Sequence, residues 1–259
     1  MKTLPKISII TVVYNAVTLL EQTIVSVLEQ EYSSIEYIII DGGSSDGTVA
    51  LIQRYAPHPI VWVSEKDGGI YDAMNKGWRL ATGEWIVFLN AGDFLVNPHV
   101  VAMVASSITK DAKLDLVYGG ITLDAKEGQY VHPKVFTAFN LLFWGTGTLC
   151  HQAMFIKKDK MLPYSLAYRY KAELNSYFDL VSRIQKYKRI DEPFVVYLTG
   201  GTGAQNFVRN HLEALHVAFK RKGILSIMAL PFIVYGFLTS LRHYLKGKHG
   251  THYEFTDIS

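Results

Sequence analysis

Glu84-Trp85-Ile86-Val87-Phe88-Leu89-Asn90-Ala91-Gly92-Asp93 is the stretch whose reading decides the fold class. Trp85 to Leu89 is a short, unbroken run of bulky apolar side chains, the pattern of a strand covered on both faces of a parallel sheet. Asn-Ala-Gly-Asp ends it in a turn that carries one carboxylate. In an open α/β sheet ligands bind outside the carboxyl ends of the strands. Asp93 therefore stands where an oxygen ligand for a hard divalent cation is useful. A single Asp at such a turn can equally cap the next helix, so the weight comes from its neighbours: two earlier strands also run into acidic turns.

Those strands appear in order. Ile7 to Val13 is mostly β-branched and ends at Tyr14-Asn15. Val17 to Leu28 has helical spacing, with Leu20, Ile24, Val27 and Leu28 on one side. Ile35 to Ile40 is a second buried strand, ending in Asp41-Gly42-Gly43-Ser44-Ser45-Asp46-Gly47-Thr48 ahead of a helix near Val49 to Tyr55, for which Asp46 or Thr48 is the expected cap. Ile60 to Val63 is a third strand, followed by Ser64-Glu65-Lys66-Asp67-Gly68-Gly69 and a helix from Ile70 to Leu80. Strands and helices alternating at this spacing predict βαβ units, hence an α/β fold with a mostly parallel sheet flanked by helices. Right-handed crossovers put all the strand ends on one edge. That edge gathers Thr11, Tyr14, Asp41, Glu65, Asp67, Asn90 and Asp93.

The chain has 259 residues, nearly half of them hydrophobic, enough for one α/β domain of ordinary size and an appendage. Its one cysteine, Cys150, excludes an internal disulfide and a cysteine-cluster zinc site, and suits a reducing compartment. Met1 to Lys6 leads straight into the first strand, so no secretory leader is expected. The net charge of +3 is unevenly placed. Residues 206–250 carry Arg209, Lys220, Arg221, Lys222, Arg242, Lys246 and Lys248 against Glu213 alone. That imbalance points to an anionic surface near the tail, membrane or nucleic acid; a membrane surface is the expected partner and a nucleic acid is not. A GxGxxG fingerprint after the first strand and a GxxxxGK[ST] loop are both missing, against a standard dinucleotide fold and a P-loop ATPase. An acidic, glycine-rich edge suits a nucleotide held through a metal, one carboxylate accepting from base or ribose while another shares a cation with the diphosphate.

Together Ile9-Ile10-Thr11-Val12-Val13-Tyr14-Asn15, Ser26, Gln30, the Asp41–Thr48 turn, Tyr71-Asp72-Ala73-Met74-Asn75-Lys76-Gly77, Ala81-Thr82-Gly83-Glu84 and Leu89-Asn90-Ala91-Gly92-Asp93 resemble the nucleotide-binding half of the inverting family 2 glycosyltransferases, which have the GT-A fold. The likeness is strong over residues 6–95 and looser over 145–203. It implies a transferase moving a sugar from a nucleotide-sugar donor to a saccharide or lipid-linked acceptor, of the kind used in polysaccharide synthesis. It places base contact on Asp41, divalent-cation (Mn or Mg) and diphosphate binding on Asp93, and the walls of the nucleotide pocket on Thr11 and Tyr14. Asp67 and Asn90 join the nucleotide side. The family usually has acids where this chain has Asn90 and Gly92, so Asp93 is the one charged metal ligand; Asp72 either supplements it or caps a helix.

An inverting transfer is a single displacement, which needs one carboxylate to take the acceptor's proton. The candidates are Glu173 and Asp179. Six residues on a helix turn the side chain by about 240°, so the two do not share a site. The resemblance favours Glu173, with Asp179 second and a solvated helix residue as the plain alternative. Phe143-Trp144-Gly145-Thr146-Gly147 and His151-Gln152 resemble the acceptor-side segment, with Trp144 a stacking platform or a core residue, and His151 a phosphate or metal contact or a satisfied buried histidine. Gly200-Gly201-Thr202-Gly203, after a strand from Phe194 to Leu198, reads first as a plain glycine turn. The competing functions are a sugar-nucleotide pyrophosphorylase and a non-catalytic sugar-binding protein at the membrane.

The expected organisation is a catalytic domain over 1–205, divided near 110 into nucleotide and acceptor halves, and a basic, apolar helical tail over 206–259. Ile224 to Leu241 is apolar but broken by Pro231 and Gly236, at the lower limit for a spanning helix. A helix or hairpin lying in the cytoplasmic leaflet is the favoured reading; a span or an oligomer interface stays open.

Overall fold

The computed structural model describes residues 4–124, 128–137, 149–199, 206–223, 226–227, 231, 234–235, 237–238 and 241–242. Trp144 and Gly200–Gly203 lie outside them, as does most of the apolar tail. The nucleotide half runs β1 (Ile7–Val13), α1 (Val17–Leu28), β2 (Ile35–Asp41), α2 (Thr48–Arg54), β3 (Ile60–Ser64), α3 (Ile70–Leu80), β4 (Trp85–Phe88), β5 (Phe94–Leu95) and α4 (Val100–Lys110). After it come β6 (Leu116–Leu123), β7 (Tyr130–Val131), a single turn at His151–Ala153, β8 (Met154–Lys157), α5 (Ala172–Arg183), β9 (Tyr187–Tyr197) and α6 (Phe207–Lys222).

The sheet has nine strands in the order β3-β2-β1-β4-β8-β6-β9-β5, with β7 paired to β6. β3, β2, β1 and β4 are mutually parallel, as the βαβ spacing requires. The acceptor half is mixed: β8 runs antiparallel to both β4 and β6, while β9 is parallel to β6 and antiparallel to β5. Every residue of β1 is buried because helices cover both faces. Ile7, Ile9 and Val13 pack with α1, α2 and α4, whereas Ile10 and Val12 face α3 and α5.

Several residues quoted for the resemblance prove to be structural. At the edge opposite the acidic turns, Glu36 accepts from Ser8, Thr82 and Lys6, and these bonds hold its carboxyl down at about 2 against the burial that would raise it. Ser26 and Gln30 tie α1 to the connection between β5 and α4: the Ser26 hydroxyl accepts from Leu95 N–H, and Gln30 pairs with Asn97 and Val101. β9 is longer than its sequence signal, with a register break at Tyr118 to Ile121 where it meets β6. The glycines there are required by space, since a Cβ on Gly119 would lie 2.5 Å from the Phe194 ring and one on Gly120 2.4 Å from Tyr130.

α5 is held from α6. Glu213 accepts the backbone N–H groups of Arg169, Tyr170 and Lys171 just ahead of α5, so it holds the segment that enters the helix. Two turns on, Arg221 makes a fork to both oxygens of Asp179, at 2.6 and 2.7 Å, and bonds Asn175.

Gly77 of α3 packs directly on β1, where a Cβ would stand 2.3 Å from Ile10 Cγ2. Gly77→Ala is therefore expected to destabilise by about 1–3 kcal/mol through overpacking. Thermal or urea unfolding measures it; a variant as stable as the parent contradicts this packing.

Candidate active site

Backbone hydrogen bonds fix the relation of the strand ends. Val13 pairs with Asp41 in the β1–β2 register, and Gly42 N–H reaches the Val13 carbonyl. Leu89 and Ala91 donate to the carbonyls of Ile10 and Val12 on the other side of β1, and Glu65 donates to that of Asp41. The ends of β2, β3 and β4 thus flank β1 on one edge.

On the β2 side, Asp41 is buried and spent on its own turn. Its Oδ2 accepts from Gly43 and Ser44 N–H and from the Ser64 hydroxyl at 2.6 Å, while Oδ1 accepts from the Ser44 hydroxyl. The turn is laced to the end of β1: Asn15, in the left-handed region at φ 46°, accepts Ser45 N–H, and Asp46 accepts from Val17 and Thr48. These bonds hold the Asp46 carboxyl below its ordinary range, the Thr48 hydroxyl first among them. Gly47, not Asp46 or Thr48, occupies the cap of α2. Tyr14 is 64% exposed beyond the strand. Between it and Asp67 lies Gly42, where a Cβ would stand 2.6 Å from Asp67 Oδ2 and 3.3 Å from the Tyr14 ring. With no side chain at residue 42, Asp67 and the Tyr14 ring close directly on the turn after β2. Thr11 does not join them. Its side chain alternates with those of Ile10 and Val12, is buried on the α1 face, and its hydroxyl pairs with Tyr37 at 3.1 Å.

On the β4 side, Asp93 is buried and its two oxygens accept from Gln152 Nε2 and Leu198 N–H, both at 2.9 Å. Burial nevertheless pushes its carboxyl up to about 7. Asn90 Nδ2 lies 3.3 Å from His151 Nε2, and burial lowers the His151 pKa to about 4, so the ring is neutral at physiological pH. Asn90 Oδ1 is buried without a partner, which marks it for a ligand. Asp72 serves the backbone, accepting Gly68 N–H, with Lys76 3.8 Å away.

Next to this contact a cavity of about 180 Å³ opens, lined among others by Gly120, Val131, His151, Gln152, Glu173 and Tyr177. Glu173 is its one lining carboxylate among the described residues. It sits in the first turn of α5, buried, with Oε2 accepting from the Tyr71 hydroxyl. Burial, with the charge of Glu213 adding to it, pushes its carboxyl up to about 8. Asp179, six residues on, is not in the lining and is held by Arg221. The structure brings Asn90, Asp93 and His151 together beside Glu173, and separately Tyr14 and Asp67 beside the Asp41 turn. The residues missed were Gln152, which sat in a quoted pair, Gly42, and Tyr71 and Tyr177.

The sequence model described as Glycosyl transferase family 2 matches residues 8–163. A PGL/p-HBAD biosynthesis glycosyltransferase of Mycobacterium tuberculosis (strain ATCC 25177 / H37Ra) is 34% identical over 175 residues, 65% of this chain and 67% of the relative. A chondroitin synthase of Escherichia coli is 36% identical over 120 residues, 46% of this chain and 17% of that one. Among solved structures, S. aureus TarS 1-349 in complex with UDP-GlcNAc superposes with a TM-score of 0.66 at 13% identity, covering 95% of this chain and 74% of that one. The mannosyltransferase PcManGT from Pyrobaculum calidifontis, in complex with GDP-Man and Mn2+, gives 0.64 at 18% identity over 97% and 77%. At these identities the structural likeness is one of fold.

With a pKa near 8 in the folded chain against an ordinary 4.5, Glu173 keeps a proton that the unfolded chain has released between those values. Its contribution to stability is therefore present at low pH and lost as pH rises through about 8. Melting temperatures from pH 5 to 9 are expected to fall more steeply for the parent than for Glu173→Gln. Parallel curves contradict the burial of this carboxyl.

Proposed function

The chain belongs to glycosyl transferase family 2 and is a glycosyltransferase, and on that premise we propose that it moves a sugar from a nucleoside-diphosphate donor to a saccharide or lipid-linked acceptor by a single, inverting displacement. The observation that carries this reading is the placement of Glu173: a lone carboxylate in a cavity that shares His151 and Gln152 with the turn at the end of β4. The exposed Tyr14 ring and Asp67, packed on the rigid Asp41 turn, take the nucleotide base. The complexes of TarS with UDP-GlcNAc and of PcManGT with GDP-Man support a nucleotide-sugar donor.

The donor set at the end of β4 fits a divalent cation. Asn90 Oδ1 is buried and unpartnered, and each Asp93 oxygen, holding one hydrogen bond, keeps a further lone pair. Among the described residues no three acidic, histidine or cysteine side chains gather as a closed metal cluster, so a cation here would take its other ligands from the diphosphate. The Mn2+ in the PcManGT complex agrees with such a cation. When bound, it offsets charge on the departing diphosphate.

The residues of the chain supply the rest. The acceptor hydroxyl enters the cavity and passes its proton to Glu173 as its oxygen bonds to the anomeric carbon. The bond from that carbon to the diphosphate breaks, its electron pair leaving with the nucleotide. A base with a pKa near 8 is strong once ionised, so turnover rises with pH toward that value. Burial of the neutral His151 and Gln152 beside it keeps competing charge and water out of the reacting region.

For the tail we propose an anionic membrane surface, on the cytoplasmic side, near a lipid-linked acceptor. Val208, Leu212 and Phe219 form an exposed apolar stripe on α6, opposite buried Val217, while Glu213 is turned inward to α5. Lys220 and Lys222, which lie over Tyr168 and Phe178, and Arg209 leave that helix basic. Among the described residues no helix is long and apolar enough to cross a membrane.

Glu173→Gln is expected to lower turnover by roughly 10²–10⁴-fold while donor binding, read by calorimetry, survives. Unchanged turnover removes the assignment. Released nucleoside diphosphate is expected; release of pyrophosphate instead would indicate a pyrophosphorylase. Deleting residues 224–248 is expected to move the protein from the membrane to the soluble fraction, and a parent chain already freely soluble at low salt without detergent contradicts the membrane reading.

A further inference from the structure

Tyr71 is the second residue of α3, Glu173 the second of α5, and 102 positions separate them. Yet the Tyr71 hydroxyl donates to Glu173 Oε2 inside the molecule. The phenol has little freedom to move. Its ring packs on Tyr164 with centroids 5.3 Å apart, and Tyr164 packs in turn on Phe88 of β4 at 5.7 Å. One turn further along α3, Asn75 grips the Tyr164 backbone twice, donating to its carbonyl at 2.9 Å and accepting its N–H at 2.7 Å. α3 is thus bolted to the segment that leads into α5. The other end of this connection is the donor side. Asp67 accepts Gly69 N–H at 2.8 Å, and α3 begins at the next residue.

We propose that Tyr71 is the positioning residue of the transfer: by fixing Glu173 Oε2 it presents the other carboxylate oxygen to the acceptor hydroxyl, and it does so from the helix that starts three residues after Asp67. The inference rests on Glu173 being the base. A carboxylate in a cavity can rotate about its terminal bond; a donor on one oxygen removes that freedom and aims the second lone-pair set. Such a bond also favours the ionised form that a base needs, against the burial that opposes it.

The other groups facing Glu173 are accounted for element by element. Tyr177 comes from α5 itself, Tyr197 from β9, and Cys150 and His151 from the turn before β8. Burial raises the two phenols and the thiol and keeps His151 neutral, so none of them changes charge near neutral pH. From α6 the Glu213 charge raises the Glu173 pKa, with Lys171 beside it lowered by burial to about 8. His132, just after β7, also lines the cavity, and its variant serves as a control.

Tyr71→Phe keeps the ring and its packing, so the variant is expected to fold; melting temperature and donor titration check this. Its kcat is expected to fall on the order of 10–100-fold with the donor KM within about twofold, and the acid limb of its pH profile to move to higher pH. His132→Gln is expected to leave that limb in place. Added to Glu173→Gln, Tyr71→Phe is expected to cost nothing further, because its effect passes through the carboxylate. If Glu173→Gln collapses turnover while Tyr71→Phe keeps the parent kcat and limb, the positioning role is overturned and the base assignment stands. If Glu173→Gln itself turns over normally, the base assignment fails and this role with it. Equal losses of donor affinity and kcat in Tyr71→Phe, with the limb unmoved, would mean a packing role alone and likewise overturn the proposal.

Discussion

The register of β1 between two parallel neighbours is the constraint from which the site follows. Val13 faces Asp41 on one side, while the Val12 carbonyl takes Ala91 N–H on the other. A slip of one residue would turn every side chain of β1 to the opposite face and expose Ile7, Ile9 and Val13 to the wrong helices. Burial on both faces therefore fixes the register, and the register fixes the separation of the acidic turn after β2 from the one after β4. The turns themselves are stiffened locally. Asp41 holds its own loop with four hydrogen bonds, and Asp46 and Asn15 stitch that loop to the start of α1.

The acceptor half is then attached through polar contacts that cross from one half to the other. Asp93 accepts from Gln152 and from Leu198, Asn90 meets His151, Asn75 clasps Tyr164, and Tyr71 meets Glu173. The bonds of Asp93 to Gln152, of Asn75 to Tyr164 and of Tyr71 to Glu173 join buried groups, so leaving either partner alone there would cost desolvation as well as the bond. The consequence is a rigid cleft rather than two halves meeting at a soft boundary. From outside, α6 adds a second layer of restraint on α5 through Glu213 and Arg221. The helix that begins the basic tail thus also holds the helix that carries Glu173.

How much of this the sequence disclosed depends on the range of the interaction. The parallel half was legible because its strands are rich in β-branched and apolar residues and alternate with helices of regular spacing. The acceptor half was not, since β7 and β8 are two and four residues long and are separated by no helical pacing. The angular separation of Glu173 and Asp179 followed from helix geometry alone, and their surroundings differ accordingly: a cavity for one, the Arg221 fork for the other. Thr11 was misplaced by trusting its position near a strand end. Strand alternation puts it on the same face as Ile9 and Val13, in the core. Asp41 was expected to contact the base; the structure shows its carboxylate engaged by the bonds that fix its own turn. Tyr71 stood in a quoted motif, but its role was not legible there, because its partner lies 102 residues away.

The central claim is that the nucleotide lies across the carboxyl edge of β1, its base against the exposed Tyr14 ring. Calorimetric titration of uridine and guanosine diphosphates with Mn²⁺ into the parent chain and Tyr14→Ala tests this most directly. Saturable binding by the parent of one of the two, lost or weakened at least about tenfold in the variant, is the result the account requires. Equal affinity in both chains would contradict it.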